Sequence, residues 1–104
     1  MNRAEVLKKA EQITTTDREK QYGDPEDNFS AIAKMWSGYL NCPVEPADVA
    51  AMMVLLKVAR IGSGQTVADN WVDIAGYAAC GAEIQTRDST KMDWSEKSYD
   101  CPSR

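Results

Sequence analysis

Two pairs of like charges stand at helical spacing in the second half of the chain. Lys57 and Arg60 are three positions apart, Asp69 and Asp73 are four apart, and Tyr77 follows one turn later. At those separations both members of a pair share one helix face. A basic pair suits phosphate oxygens, which take charge-assisted hydrogen bonds from ammonium and guanidinium groups. An acidic pair can accept from sugar hydroxyls or base amines, or can hold a hard cation through its oxygens. A third polar stretch, "TDREKQYGDPEDNF" over residues 16–29, adds Arg18, Lys20 and Tyr22 just before a Tyr-Gly-Asp-Pro turn. Tyr22 and Trp71 are the rings on which a planar base would stack. Lys57 lies in an otherwise apolar run, where a charge is costly unless it is paired. A plainer reading of the same residues stays open. Bases near a helix C-terminus and acids near an N-terminus are what the helix dipole favours, and Asp24, Glu26 and Asp27 are accounted for by capping.

Several chemistries drop out at once. The chain of 104 residues has no histidine, which removes histidine acid–base catalysis and the usual zinc ligation. Its three cysteines, Cys42, Cys80 and Cys101, form no CxxC and read as reduced thiols in a cytoplasmic protein. A formal charge of −4 argues against a non-specific nucleic-acid partner. "MNRAEVLKKAEQ" has no uninterrupted apolar core and is not read as a signal peptide. The most apolar run, "VAAMMVLLKVARI" from Val49 to Ile61, is too short to cross a bilayer and carries Lys57 and Arg60, so no membrane partner is expected.

The elements that must position these charges are helices. Val6, Leu7, Ala10 and Ile13 place a first helix over 2–14. Asp24 as N-cap, Pro25 at the first position and acids in the first turn start a second, whose stripe is Phe29, Ile32, Ala33, Trp36 and Leu40. Pro46 opens a third, ending near Ile61 before "GSG". It is apolar on nearly every side and is therefore expected to be the buried, central helix. A fourth starts near Thr66 and runs to about Ile84, thinned by glycine and alanine. The result is an all-α, four-helix antiparallel bundle over 1–86, with a polar C-terminal tail over 87–104. Running helices two, three and four up, down and up would gather the start of the second, the end of the third and the start of the fourth at one end. The loop from Arg18 to Gly23 leads into that end. The apolar extent of helix three and the small-residue face of helix four exceed what one short bundle covers, so a homo-oligomer is expected.

Four blocks, "DREKQYGDPEDNF", "IAKMWSGYL", "DVAAMMVLLKVAR" and "DNWVDIAGYAACGAEI", occur in that order. Together they resemble a small phage and prophage domain family of unknown function, which implies a phage origin and a host-cytoplasmic setting. A weaker resemblance is to the all-α nucleoside triphosphate pyrophosphohydrolases of the MazG kind, which are helical, oligomeric, and hold magnesium with E-x-x-E and E-x-x-D motifs. "NWVD" is similar to the second motif, with Asp73 at its aspartate and Asn70 where it has glutamate. The first motif has no clean match, and Glu26 and Asp27 are the acids left to substitute for it. Two functions follow as expectations. One is a non-catalytic binder of a phosphorylated, nucleotide-like ligand with no cofactor, using Arg18, Lys20, Tyr22, Lys57, Arg60, Asp69, Trp71, Asp73 and Tyr77. Such a binder would sequester a host antiviral nucleotide signal. The alternative is a magnesium-dependent pyrophosphohydrolase with Asp69, Asp73 and Glu26 as metal ligands.

Overall fold

The computed structural model describes residues 1–17, 23–65 and 67–87. Arg18, Lys20, Tyr22, Thr66 and the polar tail from 88 onward lie outside the described residues. Four α-helices and one π-helical turn make up the ordered elements, with no strand among the described residues.

Each helix start follows from local chemistry. Helix α1 (Arg3–Gln12) is capped by Asn2, whose side-chain oxygen accepts from the Glu5 N–H at 2.9 Å. It continues into a π-helical turn, Ile13–Asp17. There the Thr14 and Thr15 hydroxyls donate back to the carbonyls of Ala10 (2.9 Å) and Glu11 (2.6 Å). Helix α2 (Pro25–Leu40) begins as expected, with Asp24 accepting from the Glu26 N–H at 3.0 Å and Pro25 needing no partner at the first turn. It stops at Asn41, which takes the left-handed conformation (φ 53°, ψ 46°) that asparagine tolerates. The Ser37 hydroxyl then clips the connection, accepting from the Val44 N–H at 2.9 Å. Helix α3 (Pro46–Gly62) starts with a Glu45/Asp48 capping box. Gly64, at φ 101°, reverses the chain. Helix α4 (Ala68–Arg87) starts two residues later than the Thr66 signal predicts. The buried Asn70 fastens the turn by donating to the Gln65 carbonyl at 3.4 Å.

The helix at the centre is α4, not α3. Helix α4 packs against each of the other three, most extensively against α3. Its glycines mark where neighbours come close. A Cβ on Gly81 would lie 3.0 Å from the Ala50 Cβ of α3, and one on Gly76 would lie 3.2 Å from the Thr14 methyl at the end of α1. The core comprises Phe29, Ala33, Val49, Ala50, Cys80 and Ile84, with Ile32, Trp36, Met53 and Tyr77 packed around it. Helix α3 contributes only Val49 and Ala50 as fully buried residues, whereas Met52, Leu55, Leu56 and Val58 are exposed. An apolar helix needs cover on every side, and among the described residues α2 and α4 leave the outward side of this one exposed. Of the cysteines, Cys80 is buried in the core between α2, α3 and α4. Cys42 is disulfide-bonded, which departs from the expectation of three reduced thiols. No helix among the described residues is long and apolar enough to cross a membrane.

Candidate functional site

The Lys57 ammonium lies 2.9 Å from Asp73 Oδ2, with the two side chains 13% and 24% exposed. Antiparallel packing of α3 on α4 sets this pair. The contact of Ala50 with Gly81 fixes the register, and two turns further along α3 that register brings Lys57 opposite Asp73. The charge inside an apolar helix is therefore explained by its partner. The second oxygen of Asp73 has no partner among the described residues.

Asp73 also lines a cleft bounded by the end of α1, the start of α2 and the middle of α4. Its other walls include Thr14, Asn28, Phe29, Gly76 and Tyr77. The Phe29 and Tyr77 rings stand 6.3 Å apart at 33°, a tilted pair that forms one side. Gly76 keeps the floor open, since any larger residue would meet Thr14. The enclosed space is about 60 Å³, enough for a few waters or the edge of one planar ring rather than a whole nucleoside. Among the described residues no basic side chain lines it. Chemically it is an apolar slot with one carboxylate and one amide at its edge, suited to a ring that offers N–H donors.

The remaining expected site residues fall elsewhere. Asp69 and Arg60 are exposed and take part in no ion pair among the described residues. Trp71 is 56% exposed. It stands two residues from Asp73, about 200° of helical turn, and so faces away from the cleft. Tyr77, one turn past Asp73, does reach it. The expected meeting of the α2 start with the α4 start does not occur. Instead Asp24 and Glu26 accept from Arg87 Nη1 at 3.2 and 2.7 Å, and Arg87 also pairs with Glu83. Arg87 closes α4 at the far end from Asp69, about 27 Å away along the helix. Glu26 is thus not gathered with Asp69 and Asp73, and no three Asp, Glu, Cys or His side chains among the described residues stand where a metal could be shared. The short loops of the sequence permit the up-down-up frame, but α2 leans its first turn against the C-terminal half of α4.

The clasp has its own electrostatics. The Glu26 N–H holds the Asp24 carboxyl below its usual value against partial desolvation, with Arg87 adding to the effect. The hydrogen bonds it donates to Glu26 and then to Asp24 push the Arg87 guanidinium up. Sequence reasoning missed Thr14, Asn28, Phe29 and Gly76 as cleft residues. The available signal was Gly76, a glycine inside a helical pattern, which marks a close approach.

Residues 5–85 match a family described as a domain of unknown function, DUF6378. The Gene 55 protein of Mycobacterium phage D29 is 40% identical over 79 residues, which are 76% of this chain and 52% of that protein. The Gene 55 protein of Mycobacterium phage L5 is 35% identical over 96 residues, 91% of this chain and 62% of that protein. The chain thus spans between about half and three-fifths of the length of these relatives. No solved structure matches it.

Proposed function

The chain belongs to the DUF6378 family, and from that premise we propose that it binds a phosphorylated, nucleotide-like ligand without cleaving it. The observation that carries this reading is the position of Asp73. One of its oxygens is held by Lys57 and the residue lines an apolar cleft beside Tyr77, which leaves an acceptor for the N–H edge of a base. The base edge would enter between the Phe29–Tyr77 pair and Asn28. The phosphates would stay outside, because no cation lines the cleft among the described residues, and would turn to Lys57 and Arg60 on α3. Arg18, Lys20 and Tyr22 complete the proposal on the α1–α2 connection, and Asp69, exposed one turn before Asp73, belongs to its outer rim.

Binding is favoured over hydrolysis by how the acids are engaged. Asp73 is paired with Lys57, Glu26 with Arg87, and Asn70 spends its amide on the Gln65 carbonyl. Magnesium-assisted attack on a polyphosphate needs several carboxylates gathered on one cation. Since the curated relatives are phage proteins, the biological form of the proposal is sequestration of a host nucleotide signal in the infected cytoplasm.

The test is a panel of linear and cyclic nucleotides, with and without magnesium, read by thermal shift and then by chromatography of the recovered ligand. One nucleotide is expected to raise Tm by several degrees at saturating concentration and to be recovered intact. Asp73→Asn is expected to lose at least about tenfold in affinity, since an acceptor-only group becomes part donor. Magnesium-dependent pyrophosphate release, abolished in Asp73→Asn, would establish the hydrolase instead. A flat response to the whole panel would leave the Lys57–Asp73 pair a structural fastening.

A further inference from the structure

Helix α3 turns its lysine inward and its large apolar side chains outward. Lys57 is 13% exposed against α4, whereas Leu55 is 64% exposed, Val58 50% and Met52 39%. A surface helix of a lone globular chain shows the reverse. Between Asp48 and Arg60 the outward face carries no charge.

The sizes along this face are arranged about Leu55. Three positions to either side stand Met52 and Val58, and four positions to either side stand Ala51 and Ala59. Positions three and four apart share a face, so these five residues form one stripe that reads alike in both directions. Such a stripe is complementary to a second copy of itself run antiparallel.

We infer that two copies of the chain associate by laying α3 antiparallel on α3, with the two-fold axis at Leu55. Leu55 then meets the partner's Leu55, Met52 meets the partner's Val58, and Ala51 meets the partner's Ala59. The alanines let the backbones approach while the larger residues fill the space between them. The contact is isologous and closed, so it ends at a dimer. The two helix dipoles are opposed in the same arrangement. A partner of another kind would have no use for sizes matched about a single residue. Three turns of helix offer less than the roughly 800 Å² per side of a standard interface, so the affinity belongs in the micromolar range.

Sedimentation velocity on the full chain, from about 1 to 200 μM, tests this. The expected result is a monomer–dimer equilibrium for the parent chain. Leu55→Glu should be monomeric throughout with unchanged helical circular dichroism, since the position is exposed. Leu55→Cys should form a covalent dimer on mild oxidation, because a residue on the axis meets its own copy, while Ala82→Cys on the exposed side of α4 should not. If Leu55→Glu loses helicity, Leu55→Ala decides, with at least about a tenfold weaker dimer expected. A parent chain monomeric at the highest concentration overturns the inference. So does a dimer of undiminished strength in whichever Leu55 variant folds.

Discussion

Lys57 and Asp73 are where the structural and the functional readings meet, and their energetics separate the two. A charge pair only 13% and 24% exposed loses much of its hydration, so its net worth is small while the cost of breaking it is not. Lys57→Met is expected to destabilise by about 1–3 kcal/mol, below the 3–5 of a fully buried pair, because Asp73 is left partly desolvated without its cation. Adding Asp73→Leu should restore most of the loss, and a chemical-denaturation cycle over the four proteins would show it. If Lys57→Met unfolds no more easily than the parent, the pair contributes nothing to the fold, and its role must be sought in ligand binding. The pair was legible in the sequence from the spacing of charges on two helices joined by a short turn. The neighbouring Arg60 and Asp69 share its faces but stay exposed one turn further out, whereas Trp71 was placed with it by proximity along the chain and helix phase separates it. Trp71 points away from Asp73 although only one residue intervenes.

At the scale of elements, what the sequence states locally came through and what depends on a partner did not. Asp24–Pro25 and Pro46 mark helix starts because capping and a missing N–H act within one turn. The order of burial is different. The hydrophobicity of α3 says that it needs cover, not which surface supplies it, and α4 takes the central place because it is thin. Gly81 is the tightest point, with Ala50 where its own Cβ would be crowded. Gly81→Val is therefore expected to cost about 1–3 kcal/mol through overpacking, outweighing the gain in helix propensity. Gly38, with nothing near its Cβ position, is the control: Gly38→Ala should be neutral or stabilising by up to about 1 kcal/mol. Thermal unfolding of both variants distinguishes a packing contact from a general effect of removing helical glycines.

Across the whole molecule, Arg87 joins the last residue of α4 to the first turn of α2 through Asp24 and Glu26. The folded Asp24 carboxyl lies below its unfolded value of 3.8, so its contribution is present above that value and is lost as pH falls through the folded one. Arg87 stays charged across that window. The melting temperature is expected to fall on acidification from about pH 5 to pH 3, and Arg87→Ala should flatten part of that fall while lowering Tm at pH 7. Equal acid slopes in the two proteins would remove the clasp from the account. The central position of α4 also has a consequence during synthesis. Helices α1, α2 and α3 leave the ribosome in that order, yet the surface that all three share is the last of the described helices to be made. Until then α1 has no partner among the described helices, α2 and α3 have only each other, and the side of α3 that α4 will cover is bare. Folding must wait for residues near the end of α4, and it is in that interval that the chain is most exposed to proteases and chaperones.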